Sequence, residues 1–427
     1  MPFSTSTSTI ATAGVFLFFV LLFAVPSGYS YGAALLLFAG CWALYKDQKV
    51  NNIWSSLSRP DKGLIVILLS YFIVSALTTA YLGNTAKSLD QSSRALLIIP
   101  IFFFLVRNVF SLGWMWAGIV GGVVLSSAVA YWQIHILGEP RAAGFLNIIH
   151  FGNIALVFGG FCLGGLFWAN AQQKNTYRWN IAFALGIFAS LYSVIASGSR
   201  GSWVAIPLLV VIFCTAFLSK KNVYWIFGVL IAFAIIIGTL FANPDSLLRT
   251  RYEAAVSDIT QFESYNNSDT SVGARFTMWQ GALMSLAQNP ITGWNLEEYS
   301  KGLQKMVDAE TLSPVAVGFN DNLHNNYLQA WVFQGIAGLI ILLALYLFPL
   351  WHFCQRLRHK DITTRVLAFC GATLISSYMC FSLTQVILRR NNGIMFFLLA
   401  LVIIWAALRH AQKTSTAPLI RKPYQER

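Results

Sequence analysis

The sequence predicts an all-α polytopic membrane protein, and three observations lead to that fold class. Hydrophobic residues make up 56% of the 427-residue chain, charged residues make up 11%, and the mean hydropathy is +0.61, which excludes a water-soluble core. The apolar residues form runs close to the roughly 20 residues that a helix needs to cross a bilayer. One polar segment of about 85 residues, 242–326, interrupts these runs. We therefore expect about 12 transmembrane helices and one large loop.

The predicted spans, taken in order, divide the chain into three parts. Residues 242–326 form the large loop, 1–241 precede it, and 327–427 hold the last three spans and a basic tail. The twelve spans are predicted near 9–25, 30–45, 63–80, 94–110, 112–132, 153–169, 179–197, 203–219, 223–241, 327–349, 364–382 and 391–408.

Lysine and arginine give the predicted orientation, because these residues accumulate in cytoplasmic loops. With both termini in the cytoplasm, 18 of the 29 basic residues fall on the cytoplasmic side and the large loop lies outside. The other 11 stand on the disfavoured side, which suggests that they have a function. They are Lys87, Arg94, Arg141, Arg200, Arg249, Arg251, Arg275, Lys301, Lys305, Arg389 and Arg390.

Three helices are predicted inside the large loop. In residues 248–262, apolar residues recur at helical spacing opposite charged ones, as in an amphipathic helix that lies on a membrane surface. The segment RFTMWQGALMSLAQ reads as a second helix, which Pro290 and Gly293 stop. A third helix is predicted over 297–309. The loop is thus expected to be a structured unit.

The heptapeptide NDNLHNN, residues 320–326, stands directly before a predicted span. His324 is the only histidine in the loop, and a neutral imidazole near pH 7 can take a proton from a hydroxyl. It can equally be a hydrogen-bonded loop histidine. Asn322 and Asn325 can bind a sugar or cap the following helix. Asp321 can orient the imidazole or cap the helix, so both kinds of role remain open here.

External arginines are the second group of candidates. Arg200 follows Ser199 in the turn ASGSRGSW, whose free backbone N–H groups can form an anion nest beside a helix N-terminus. Arg275 opens the second loop helix, and Arg389 and Arg390 lie in a short turn before the last span. Converging guanidinium groups bind phosphate oxygens, so together these arginines predict a pyrophosphate site.

Contact with lipid headgroups is the alternative role for each external arginine. Arg94 and Arg141 begin or border a span, so lipid contact is the expected role there. Other protein classes lack support in the sequence: there is no Gly-x-x-x-x-Gly-Lys-Ser/Thr motif for a nucleotide and no paired-acid motif for a metal in an external loop. Mid-span charges are nearly missing, which argues against an ion-coupled transporter.

Several of these residues resemble a known family, the O-antigen ligases, which share a superfamily with O-antigen polymerases and protein O-oligosaccharyltransferases. His324 and Asn325 are followed by nine residues and then by Gly335 and Gly338. This spacing is similar to the ligase pattern His-Asn/Ser/Gln-x9-Gly-x-x-Gly/Thr/Tyr. The stretch 275–293 and the turn SGSRGSW also resemble segments of that family.

The resemblance implies a GT-C-like glycosyltransferase of lipopolysaccharide biosynthesis, in the inner membrane of a Gram-negative bacterium, with its active site in the periplasm. Such enzymes transfer O-antigen from undecaprenyl pyrophosphate to a sugar hydroxyl of lipid A-core, invert the anomeric centre, and need neither a metal, ATP nor another cofactor. The family's catalytic histidine corresponds to His324, and two of its arginines correspond to Arg200 and Arg275. Arg389 and Arg390 are added as pyrophosphate ligands by position alone.

Alternative functions follow from the same features. An O-antigen polymerase would use a second lipid-linked glycan as acceptor, although the His-Asn-x9-Gly-x-x-Gly spacing favours a ligase. Protein O-oligosaccharyltransferases usually carry a further C-terminal domain, and we expect that activity less. A non-catalytic transporter of lipid-linked glycans would need the arginines but would tolerate His324→Ala. The expected partners are the two substrates and membrane lipids, with no nucleic acid.

Catalysis makes one geometric demand. A base and a leaving-group clamp must flank a single anomeric carbon, so we expect His324, Arg200 and Arg275 to converge in space. A separation of more than about 15 Å between His324 and both arginines would exclude this site.

Overall fold

The computed structural model describes residues 5–46, 54–172, 175–220, 223–244, 246–265 and 267–416. Helices make up 80% of the structure, and these ranges contain no strand. The predicted all-α class is therefore confirmed.

Fifteen longer helices organise the described residues. Nine precede the large loop, three lie in it, and three follow it. They are α1 (Thr5–Leu21), α2 (Tyr29–Lys46), α3 (Arg59–Tyr81), α4 (Asp90–Arg107), α5 (Leu112–Tyr131), α6 (Ile148–Ala171), α7 (Thr176–Ser197), α8 (Ile206–Phe217), α9 (Val223–Ala242), α10 (Leu247–Tyr265), α11 (Ser271–Gln288), α12 (Leu296–Asp308), α13 (Asn326–Cys354), α14 (Ile362–Phe381) and α15 (Asn391–Thr416).

Among the residues that the structure describes, nine helical stretches are long and apolar enough to cross a membrane. The protein is therefore a multi-pass membrane protein. The other three predicted spans, near 9–25, 30–45 and 223–241, coincide with the helices α1, α2 and α9. α1 and α2 have 17 and 18 residues, which is short against the roughly 20 residues of a straight span. The three helices predicted in the loop are present as α10, α11 and α12.

The helices α14 and α15 lie at the centre of the bundle, where 83% and 78% of the residues in their apolar stretches are buried. α14 packs against α6, α8 and α13, and α15 packs against α4. The turn between α14 and α15 is held by Tyr378, which is fully buried and donates its hydroxyl to the carbonyl of Gly393 at 2.8 Å. This turn carries Gln385, Arg389 and Arg390, so rigid helices fix its position.

The large loop has an apolar core of its own. Ala282 of α11, Tyr299 and Leu303 of α12, Leu323 and Val332 are each at most 1% exposed and belong to one cluster. Burying a large apolar side chain contributes about 1.5–3 kcal/mol. Because Leu323 immediately precedes the candidate base, the packing of this core also fixes the main chain at that base.

A break in α13 joins this loop to the membrane helices. Gly335 has φ 65° and ψ −169°, a region that is essentially restricted to glycine. A Cβ at Gly335 would lie 2.1 Å from the carbonyl oxygen of Ile291. Ile336 N–H donates to that same oxygen at 3.1 Å, and Trp294 N–H donates to Val332 at 2.7 Å. The first glycine of the sequence motif therefore lets the turn after α11 dock onto α13.

Candidate active site

Local hydrogen bonds hold His324 in an uncommon backbone conformation directly before α13. Its φ is 48°, in the left-handed region, which costs a residue other than glycine about 1–3 kcal/mol. The Asn322 side-chain oxygen accepts from the backbone N–H of His324 at 3.2 Å. Asn325 accepts from Tyr327 and Leu328 at 3.0 and 3.1 Å and is the N-cap of α13. Of the two roles open for Asn325, capping is the one that the structure shows.

The His324 imidazole is oriented by Gln385, a residue that the sequence reasoning did not single out. The distance from His324 Nδ1 to Gln385 Oε1 is 2.6 Å, and Gln385 is 3% exposed. Because a carboxamide oxygen only accepts, Nδ1 carries the hydrogen and Nε2 is the basic nitrogen. Burial and the charge of Arg275 lower the pKa of His324, the Gln385 bond raises it, and Arg390 lowers it further. His324 is therefore a neutral base near pH 7.

Asp321 takes neither role considered for it. Its carboxylate lies 3.1 Å from Arg389 Nη2, with the two side chains 54% and 41% exposed. Exposed ion pairs contribute only about 0–1 kcal/mol, so Arg389 remains available to move. Of the two arginines in this turn, Arg390 is the one whose charge lowers the pKa of His324.

Arg275 lies near enough to His324 for its charge to lower the pKa of the imidazole, and its helical spacing from Trp279 accounts for this position. Residues four apart lie on one face of a helix, and Trp279 Nε1 donates to the carbonyl oxygen of Leu323 at 2.9 Å. This bond ties the face of α11 that carries Arg275 to the residue before His324. The charges of Arg275 and Arg200 also affect one another, because Arg200 lowers the pKa of Arg275 after the larger effect of burial. The structure thus brings the predicted base and both predicted arginines into one region.

Arg200 opens a four-residue helical turn, Arg200–Trp203, after the end of α7. Both of its terminal nitrogens lie 3.3 Å from Asp258 Oδ2 of α10. Ser199 is 1% exposed, and its hydroxyl has no hydrogen-bond partner among the described residues. A buried hydroxyl next to a guanidinium group can contribute to an anion site.

Two further arginines, Arg141 and Arg251, lie near Arg200. Arg141 contacts the protein backbone instead of the lipid headgroups expected for it. Arg141 donates to the carbonyl oxygens of Ser197 and Gly198 at 2.7 and 3.1 Å. A Cβ built on Gly198 would lie 3.2 Å from Arg251 Nε and 3.4 Å from Arg141 Nε. Arg251 Nε is buried and makes no hydrogen bond within the described ranges. Both arginines therefore lie against the backbone that leads into Arg200.

The arginine cluster, defined as Arg141, Arg200, Arg251 and Arg275, carries an excess of positive charge. Burial, then Arg251, then Arg200 lower the pKa of Arg141, so the cations repel one another. Asp258 is the one carboxylate that pairs with the cluster in the part of the chain described. Partly buried cations left with little neutralisation favour an anionic ligand with several oxygens.

These features define the class of protein: a multi-pass membrane protein with a neutral histidine near a cluster of arginines. In residues 185–343 the chain matches the family model of the O-antigen ligases. An O-antigen ligase of Escherichia coli K12 is 25% identical over 195 residues, 45% of each chain. An uncharacterized protein of Haemophilus influenzae is 29% identical over 393 residues, 91% of this chain and 96% of that protein. These matches confirm the resemblance seen in the sequence: the chain is similar to O-antigen ligases over part of its length.

The matched range includes Arg200, Arg275 and His324 but ends before Gln385. A weak signal for Gln385 was present, because it is an amide inside the apolar run SLTQVIL. For Arg251 the signal was only its position outside the membrane, since the charged face of α10 looks like an ordinary solvated surface in the sequence.

Proposed function

We propose that this protein is a periplasmic O-antigen ligase. It transfers a polysaccharide from undecaprenyl pyrophosphate to a sugar hydroxyl of lipid A-core, with inversion and without metal or ATP. The observation that supports the proposal is the bond from Trp279 to the carbonyl of Leu323, which ties the helix that carries Arg275 to the residue before His324. In a glycosyl transfer, these two residues would serve the two ends of the reaction.

The proposed reaction is a single displacement. His324 Nε2 removes the proton of the acceptor hydroxyl while the hydroxyl oxygen attacks the anomeric carbon. The bond from that carbon to the pyrophosphate oxygen breaks, and the electron pair leaves with the pyrophosphate. The arginine cluster neutralises the charge that develops on the leaving group, the role that a metal plays in other enzymes. The proton taken up by His324 then passes to solvent.

Each predicted site residue has a place in this scheme. Arg200 and Arg275 bind the pyrophosphate, with the Ser199 hydroxyl beside them, and Arg141 and Arg251 join them. Arg390 adds positive charge near the base. Arg389, the residue before Arg390 in the same turn, is paired with Asp321. Asn322 and Asn325 hold the backbone of the base.

The proposal also sets the location and orientation of the protein. The enzyme lies in the inner membrane with a GT-C-like arrangement, its large loop in the periplasm and both termini in the cytoplasm. The distribution of lysine and arginine supports this orientation. Undecaprenyl pyrophosphate supplies its own good leaving group, which suits a compartment without ATP.

The test is transfer in nanodiscs from undecaprenyl-pyrophosphate-linked O-antigen to purified lipid A-core in EDTA. We expect His324→Ala to lose about 10²–10⁴-fold in rate, the typical contribution of a general base. His135→Ala, at an exposed histidine outside the site, is the matched control and should retain activity.

The same assay separates the other candidate functions. Chain growth when only the lipid-linked donor is supplied would identify a polymerase. Donor binding without transfer, equal in wild type and His324→Ala, would identify a transporter and overturn the enzymatic proposal.

A further inference from the structure

A large polar cleft lies next to the segment that carries His324. Its volume is about 1430 Å³, above the roughly 300–1,000 Å³ of sites for small molecules. The cleft is bounded by the end of α3, the segment 82–93, the start of α12 and the first turns of α13. Its size fits several linked sugar rings.

The lining of this cleft matches a carbohydrate. Of the 32 lining residues, 15 are Ser, Thr, Asn or Gln, whose side chains exchange hydrogen bonds with sugar hydroxyls. The rings of Tyr71 and Phe333 also line the cleft, and aromatic faces pack against the apolar faces of sugars.

The cleft is unsuited to a pyrophosphate. Its charged lining residues are three acids and three bases. Glu297 pairs with Lys301 at 2.6 Å, and Asp321 pairs with Arg389 at 3.1 Å. The charges therefore cancel locally, in contrast to the arginine cluster. The two regions share no lining residue, so an anion and a neutral glycan would each have a separate place.

We propose that this cleft binds the acceptor oligosaccharide; the inference rests on the proposed function. Inversion requires the acceptor hydroxyl to approach the anomeric carbon from the face opposite the leaving pyrophosphate, with the base beside the acceptor. Asp321 and Asn326, which flank His324 in sequence, line the cleft, while the charge of Arg275 reaches His324 from the arginine cluster. The segment that carries the base thus borders the neutral cleft, and the base itself senses the charge of the cationic cluster.

The depth of the cleft suits a glycan carried on a lipid. Its lining extends from Lys301 in the large loop to Tyr71 and Leu342 within the membrane helices α3 and α13. A sugar chain anchored in the bilayer can therefore enter at membrane depth and extend its outer residues toward Asp321 and Asn326, on either side of His324 in the sequence.

The test narrows the cleft without touching the base or the arginine cluster. Ala86 is exposed and lines the cleft, so Ala86→Trp fills space there with little strain. Thr85→Trp, at a neighbouring position without a side-chain cap bond, is the second variant. Ala309→Trp, at an exposed alanine outside the cleft, is the matched control. Initial rates are measured while donor and acceptor are varied separately.

We expect both cleft variants to raise the KM for lipid A-core about tenfold or more, with the donor KM within about twofold of wild type. A raised donor KM with an unchanged acceptor KM would assign the cleft to the donor glycan and overturn the inference. Unchanged values for both substrates would overturn it as well.

A binding measurement keeps the inference independent of turnover. His324→Ala is titrated with free core oligosaccharide released from lipopolysaccharide, in nanodiscs, with and without Ala86→Trp. If the wild type shows no transfer but the oligosaccharide binds and Ala86→Trp abolishes binding, the proposed function fails while the carbohydrate site stands. If the wild type transfers glycan but the free core oligosaccharide does not bind, the cleft is not the acceptor site, while the proposed function stands.

Discussion

Replacing Gln385 with glutamate tests the catalytic arrangement most directly, because it changes the charge of the group in contact with the base and keeps the oxygen that makes the contact. The carboxamide oxygen lies 2.6 Å from His324 Nδ1, and a carboxylate there would keep the hydrogen bond while adding a negative charge. In the wild type, burial and Arg275 lower the pKa of His324 from its ordinary 6.5. Most of the imidazole is therefore neutral at pH 6.5, and transfer should persist at that pH.

A carboxylate beside the ring reverses this effect. An opposite charge within about 4–6 Å typically moves a pKa by 1–3 pH units toward the charged form. The pKa of His324 rises, so at a given acidic pH more imidazole is protonated and less base is available. The acid limb of the rate profile should therefore move up by about 1–3 pH units, with a tenfold rate loss for each pH unit on that limb.

Gln385→Leu provides the contrast. It removes the acceptor that fixes the tautomer and raises the pKa of His324. Its acid limb should stay in place or move to lower pH. Its rate at the plateau should fall by up to about 10²-fold, because a loose imidazole loses part of the benefit of general base catalysis.

The assay is the pH dependence of kcat for glycan transfer in nanodiscs at saturating donor and acceptor. Gln355→Glu adds the same charge at an exposed site after α13 and should leave the profile unchanged. If folded Gln385→Glu has the acid limb of the wild type, His324 is not the titrating base or Gln385 is not its partner, and the reasoning fails.

Three further outcomes follow from the same geometry. Inorganic pyrophosphate at about 100 times its Kd should stabilise the wild type by about 2.7 kcal/mol. Arg251→Gln should weaken this binding roughly tenfold or more, whereas Arg249→Gln on the same helix should not. If pyrophosphate shifts the melting temperature of both variants equally, Arg251 does not belong to the anion site. Gly335→Ala should lose roughly 2–5 kcal/mol of folding free energy, because alanine is strained there and its Cβ overlaps the neighbouring turn. Gly302→Ala, with open space around it, should not melt at a lower temperature than the wild type. Similar melting temperatures for the two variants would contradict the role of the kink. Trp279→Phe should cost about 0.5–1.5 kcal/mol of folding free energy, because one hydrogen bond is lost. It should also lower kcat by about 10–100-fold, because the catalytic groups are then out of position. An unchanged kcat would show that this bond does not position the site.

The sequence carried enough information for the helices and for the candidate residues of the site, but not for the long-range pairs that these residues form. Apolar spacing indicated α10, α11 and α12, because amphipathic periodicity is a local property. The same type of signal was misleading for Arg251, which lies on the charged face of α10 but points into the arginine cluster. Sequence patterns show which face is polar, whereas the contact of that face with Gly198 depends on how α10 docks.

The partner of the imidazole illustrates the same limit. Asp321 is three residues from His324 and was the natural candidate, yet Gln385, 61 residues away, provides the hydrogen bond. Asp321 is drawn instead to Arg389 of the same distant turn. Only the packing of α14 and α15 decides which residue of that turn faces the ring, and no local pattern reports it.

The spacing of the sequence motif has a physical explanation in two bridges between the loop and α13. Trp279 binds the carbonyl of Leu323, and the turn at Ile291 binds across the kink at Gly335. Each residue of a helix turns the chain by about 100° and advances it by about 1.5 Å. One residue more or fewer between His324 and Gly335 would rotate the kink away from its partner turn, so both bridges could not form together. A fixed count between the base and the glycine therefore keeps α11, which carries Arg275, docked at the residue before His324.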